Sequence, residues 1–180
     1  MREFAKVNRL SYTVIRPAAI LGPSDKRLLK IFKMATKPLV PVLGFGKCLY
    51  HLIHVEDLAD ALILAATHPA AEGETFICGN EKSCSLFEMV QAAATLYGRK
   101  TRFIRVPVAP FLLLGDLCEA ICKPFGIEPP IYRRRVAFYT KDRSFDTRKI
   151  REKLGFQPRP NEQGLRETAE WYLQNDWVQP

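Results

Sequence analysis

The 180 residues are 47% hydrophobic and 26% charged, enough for one domain with a sizeable core and too apolar for a disordered chain. The net charge is +8, yet acids sit among the bases (Lys141, Asp142, Arg143, Asp146, Arg148, Lys149, Arg151, Glu152, Lys153) and no zinc-finger, helix-turn-helix or aromatic–basic motif accompanies them, which excludes nucleic acid as the expected partner. The cysteines, Cys48, Cys78, Cys84, Cys118 and Cys122, are odd in number and set mostly in apolar segments, and Met1–Lys6 lacks the apolar core of a secretory signal; a cytoplasmic, reducing location is expected.

In chain order, residues 1–9 read as the end of a helix. Ser11–Arg16 is a β-branched strand expected to stop at Pro17, with a loop through Gly22-Pro23 to Asp25. Leu28, Leu29, Ile31 and Phe32 predict a helix over 26–36, and Pro38, Pro41, Gly44 and Gly46 mark turns. Cys48–Val55 reads as extended. Glu56, Asp57 and Asp60 then open a helix whose stripe is Leu58, Ala61, Leu62 and Ala65, with Pro69 beyond it. Thr75–Cys78 is a short strand, Ser85–Glu88 a capping box for a helix to Tyr97, and 101–106 is extended again. Phe111–Cys122 is an apolar helix too short to span a bilayer and interrupted by Asp116 and Glu119. Asp146 caps a helix ended by Gly155, and Asn161 is expected to cap the last helix, with Leu165, Ala169 and Tyr172 on one face. Alternating strands and helices predict an α/β class.

Several segments are more specific. Val14-Ile15-Arg16-Pro17 precedes Leu21-Gly22-Pro23; Ile53-His54-Val55-Glu56-Asp57-Leu58-Ala59 follows; then come Phe145-Asp146 with Lys149, Leu154-Gly155-Phe156 with Pro158, and a helix bearing Trp171-Tyr172. In this order the chain resembles the extended short-chain dehydrogenase/reductases of the epimerase, dehydratase and 3β-hydroxysteroid dehydrogenase branch. The resemblance implies the C-terminal half of a Rossmann-type parallel sheet plus a small mixed substrate-binding region. Residues 1–23 and 51–80 would be sheet segments, 24–50 and 81–160 the substrate-binding region, and 161–180 the C-terminal helix. It implies NAD or NADP as cofactor of the full-length protein, with the backbone of Pro17, Ala18, Ala19 and Ile20 against the nicotinamide. A small-molecule substrate, a secondary alcohol or its ketone, would meet Arg16 and Tyr50.

Two parts of that chemistry do not occur in the 180 residues. No glycine-rich fingerprint is present, since Gly44-Phe45-Gly46 lacks the third glycine and runs into an extended segment. No tyrosine is followed four positions later by lysine; Tyr12 and Tyr139 meet Arg16 and Arg143, which lack lysine's compact charge. The expectation is a C-terminal portion whose partner is an N-terminal Rossmann half, with no catalytic residue of its own, inactive alone and weak or deficient in cofactor binding.

Nucleotide-sugar relatives commonly carry an arginine four positions before the histidine of the His-Val-Asp-Asp segment, and Tyr50 stands there, which weakens an epimerase/dehydratase reading and favours a lipophilic, steroid-like substrate. Residues 106–127 suit such a substrate or a membrane surface, with ordinary core packing the competing reading. A non-catalytic, membrane-peripheral interaction module built on that helix and Arg133–Arg135 is the rival from another class. His54 reads as a structural histidine before a general base. Cys48, His51 and His54 have metal-like spacing, but extended side chains three apart point to opposite faces, so no metal site is expected.

Overall fold

The computed structural model describes residues 2–8, 10–44, 46, 48–126 and 141–179; the Arg133–Arg135 cluster lies outside them. In chain order the elements are α1 (Arg2–Val7), β1 (Val14–Pro17), β2 (Ala19–Leu21), α2 (Leu29–Ala35), β3 (Leu39–Leu43), β4 (Leu49–Tyr50), β5 (Leu52–His54), α3 (Val55–Thr67), β6 (Thr75–Cys78), β7 (Cys84–Ser85), α4 (Leu86–Leu96), β8 (Arg102–Val106), α5 (Ala109–Cys122), α6 (Arg148–Leu154) and α7 (Asn161–Gln174). Three pairs are parallel, β1 with β6, β2 with β5 and β3 with β8, while β4 and β7 are antiparallel. The predicted α/β class is what the chain adopts.

The first strand does not end at Pro17. It resumes as β2 after Ala18, for a reason of direction. The Val14 and Ala18 N–H groups donate to Glu74 O and Cys78 O at 2.9 and 2.8 Å, so even-numbered residues face β6. The Pro17 nitrogen points the other way, and its missing hydrogen removes nothing from the ladder.

One residue later the neighbour changes. Ala19 N–H donates to His51 O at 3.0 Å, and Asn80 N–H, beyond β6, donates to Leu52 O at 2.8 Å. β5 is thus wedged between β2 and the chain leaving β6, and all three of its residues are buried. Leu52 belongs to a cluster built by α2, α4 and α7, where Phe32 and Tyr172 meet edge to face at 4.9 Å. Ile53 belongs to a second cluster, with Phe76, Cys78, Ala61, Ile150 and Phe156.

The helix ends show which local signals survive tertiary context. Ser85 and Glu88 form the expected capping box on α4. Asp146 acts one position outside α6, its Oδ1 accepting from Arg148 N–H at 3.0 Å while Thr147 holds the cap position. Asn161 does not cap α7; Pro160 precedes the helix, and the Asn161 amide instead accepts from Asn80 Nδ2 at 2.5 Å and donates to Lys82 O at 2.7 Å. The end of β6 outcompetes the helix for that side chain. Helix α5 lies largely outside the core: Gly115 is its only buried residue, and Leu113, Leu117 and Ile121 are 71%, 57% and 56% exposed. Among the described residues no helix is long and apolar enough to cross a membrane.

Candidate functional site

Ligands of α/β sheets lie outside the carboxyl ends of parallel strands, which here means the β1–β2 junction. Pro17 and Ala19 are exposed, and Ala18 and Ile20 half-buried. Ala18 fills a closed corner: a Cβ on Gly79 would fall 2.8 Å from His51 Cδ2 and 3.2 Å from both Ala18 Cβ and Thr147 Cγ2. Four strand ends and loops meet there because residue 79 has no side chain.

The backbone groups of this segment are not equivalent. The amides of Ala18 and Ala19 are used by the sheet. Since Ala19 faces β5, the alternation of a parallel ladder turns the Ile20 N–H away from it, toward the open edge. The Ile20 carbonyl, on that same side, accepts from Arg27 Nη2 at 3.1 Å, and Asp25 Oδ1 accepts from Arg27 N–H and Nε at 2.9 and 3.2 Å. This Asp25–Arg27 brace has no signature in sequence periodicity. It leaves Ile20 as the residue whose amide is both fixed and outward-facing.

Arg16 is exposed on β1. Tyr50 is 3% exposed, and the Arg143 guanidinium sits 5.9 Å from its ring centroid. Arg143 reaches that position because residues 142–143 bridge to β4, with Arg143 N–H donating to Leu49 O at 2.7 Å and His51 N–H to Arg143 O at 2.9 Å.

The two histidines flanking β5 have separate tasks. His51 Nδ1 accepts from Phe145 N–H at 3.1 Å, which leaves Nε2 to donate to Asn80 O at 2.6 Å. His54 caps α3, its Nδ1 accepting from Glu56 N–H at 3.4 Å, while its buried Nε2 has no hydrogen-bond partner and lies 3.7 Å from Glu167 Oε2. Cys48 Sγ meets Lys141 O, so Cys48, His51 and His54 do not converge.

His54, Glu56 and Glu167 do place ligand atoms within 4.8 Å of one another. A cation is already among these carboxylates: Arg159 donates to Asp57 Oδ1 and Glu56 Oε2 at 2.8 Å each and to Glu167. Burial pulls the His54 pKa down, and the Arg159 charge adds to it. Burial opposes the Arg159 charge, but the hydrogen bonds it donates to Asp57, Glu56 and Glu167 raise its pKa overall. The cluster is an ion-pair hub that ties the 155–160 loop to α3 and α7. The acids at the start of α3 were visible in sequence; their partner, between Pro158 and Pro160, was not.

Residues 1–79 match the NAD dependent epimerase/dehydratase family. The match covers the first 79 residues, and the chain is similar to that family there. Among curated relatives, the sterol-4-alpha-carboxylate 3-dehydrogenase (decarboxylating) of Saccharomyces cerevisiae is 28% identical over 172 residues, covering 89% of the chain and 49% of that protein. The 3beta-hydroxysteroid-dehydrogenase/decarboxylase isoform 2 of Arabidopsis thaliana is 26% identical over 178 residues, covering 91% and 32%. A solved UDP-glucose 4-epimerase of Thermotoga maritima with UDP-glucose shares the fold, with a TM-score of 0.66 at 23% identity over 96% of the chain and 49% of that structure. The chain therefore spans between 32% and 49% of the length of these curated relatives. The family that residues 1–79 match is described as NAD dependent.

Proposed function

We propose that this chain forms the nicotinamide-facing edge and part of the substrate pocket of an NAD(P)-dependent oxidoreductase acting on a secondary alcohol or ketone of lipophilic, steroid-like kind. The observation that carries this reading is the Ile20 amide, held outward by Arg27 at the carboxyl end of a parallel strand. Bound NAD or NADP supplies the hydride acceptor. The Ile20 N–H donates to its carboxamide, Pro17 and Ala19 shape the contact, Ala18 anchors the segment through Gly79, Arg16 meets the substrate, and Tyr50 carries Arg143 toward the same end. Replacing Ile20 by proline deletes one N–H that no ladder bond uses. In the enzyme containing this chain it should raise the KM for the dinucleotide about tenfold, the worth of one charge-free hydrogen bond in a dry site. An unchanged KM would count against the assignment. The purified 180 residues, without a fingerprint or Tyr-Lys pair, should not reduce NAD(P)⁺ with any sterol.

A nucleotide-binding half is the partner this reading requires. β1 pairs only with β6 among the described residues, and parallel sheets are stable when paired and covered on both sides. Leu62 and Ile63 of α3, the helix beside β1, are 50% and 64% exposed, as a surface awaiting such a half would be.

The nucleotide-sugar alternative is supported by Arg143, which brings to Tyr50 a guanidinium the strand itself lacks. A membrane-peripheral placement is supported by the α5 stripe of Leu113, Leu114, Leu117 and Ile121. Leu113→Asp with Leu117→Asp should abolish sedimentation with phosphatidylcholine vesicles; retention by this double variant would refute the α5 contact.

A further inference from the structure

We propose that the outer face of α2 is an electrostatic anchor for an anionic lipid bilayer, a second contact that rests on the membrane-peripheral reading of α5. Lys26, Lys30, Lys33 and Lys37 are all exposed. Lys30 and Lys33 lie on α2 about 60° apart around its axis, with Lys26 in the turn before the helix and Lys37 just after it. The opposite face, Leu28, Ile31, Phe32 and Ala35, is buried in the core. All four lysines face solvent.

None of the four lysines makes an ion pair among the described residues, and α2 has no acid in its first turn. Asp176 lines a cleft of about 370 Å³ with Lys33 and Lys37 without pairing with either. Like charges three and four residues apart on a helix repel, so the row works against α2 in the free protein. No acid among the described residues pairs with the row, and an anionic surface would offset the repulsion.

A bilayer is favoured by what adjoins the row. Leu39, just beyond Lys37, is 49% exposed and lies opposite Arg102 on the outer face of the β3–β8 ribbon. On the same face Pro41 lies opposite Ile104, which is 44% exposed, while Val40 and Val42 point into the core. β8 then leads through Pro107 and Val108 into α5 with its apolar stripe. Lysines followed by exposed leucine and isoleucine form the pattern of an interfacial surface. Nucleic acid would gain little from those apolar groups.

The test uses the 180-residue protein with two vesicle types, pure phosphatidylcholine and a phosphatidylcholine–phosphatidylserine mixture. The protein should bind the mixture more tightly, and salt should weaken that preference. Lys→Gln at 26, 30, 33 and 37 together should lower affinity for the mixed vesicles by at least about tenfold, leaving phosphatidylcholine binding unchanged and the melting temperature equal to or slightly above that of the wild type. Unchanged affinity of this variant for mixed vesicles overturns the anchor, whatever α5 does. Loss of the α5 leucines without effect on either vesicle refutes the α5 contact separately. Wild-type protein that ignores both vesicles but binds a DNA duplex in a lysine-dependent way would make the row a nucleic-acid surface and end the proposal.

Discussion

His54 holds its position by staying neutral. Its Nδ1 accepts from the Glu56 N–H at the start of α3, and protonation would turn that acceptor into a donor. Burial and Arg159 keep its pKa below 6.5 in the fold, so the unfolded chain binds the proton more readily. Stability from this residue is therefore complete above about pH 6.5 and is lost as pH falls toward the folded pKa. Thermal melts between about pH 7 and 5 should show a falling Tm, and His54→Asn, which keeps a capping oxygen but cannot titrate, should flatten that slope. An equal slope in the variant would place the acid sensitivity elsewhere. Arg159→Ala removes the guanidinium from Asp57, only 6% exposed, and leaves it the backbone N–H of residue 159 alone from that loop. Urea unfolding should report a loss of about 2–4 kcal/mol, and lysine should restore less than half, since a point charge cannot serve three carboxylates in a plane. The acids of this hub were legible as helix-start residues. Arg159 was not, because its bond to Asp57 spans 102 residues and leaves no local pattern.

At the level of elements, what the sequence could not specify was direction. Ser11 through Arg16 read as a strand from β-branching alone, but that it starts only at Val14 and whether Pro17 ends it are set by pairing with β6, some sixty residues on. The same ladder gives a sharp expectation. Val14 N–H is bonded to Glu74 O, while Ile15 N–H points to the unpaired edge of β1. In the isolated chain, amide exchange followed by NMR should be faster at Ile15 than at Val14 or Arg16. Adding a complementary nucleotide-binding half should slow Ile15 to match them; continued fast exchange in such a complex would mean that β1 is not where the halves join. The Gly79 corner is equally demanding. Gly79→Ala should destabilise the chain by about 1–3 kcal/mol in denaturant titrations, since the new methyl must displace His51, Ala18 or Thr147. Helix α5 shows the opposite limit of sequence reading: its composition is that of a core helix, and only the fold reveals that nothing described covers it.

For the molecule as a whole, the α/β class followed from alternation, whereas the partition of the interior into two clusters did not. Adjacent residues of β5 enter different cores, Leu52 with Phe32 and Tyr172, Ile53 with Phe76 and Ile150. Trp171 and Trp177 report on the first cluster only, through their packing with Tyr172. Their fluorescence and the far-ultraviolet signal of the whole chain should nonetheless melt together, and two resolved transitions would show that the cores separate. A partition three residues long also acts as a fuse. Heat or a protease that loosens the helices around Tyr172 withdraws support from β5, and β5 is what holds the strand carrying Ile20. Damage in the helical half is therefore registered at the sheet edge, and the protein cannot survive as a sound sheet with a failed lid.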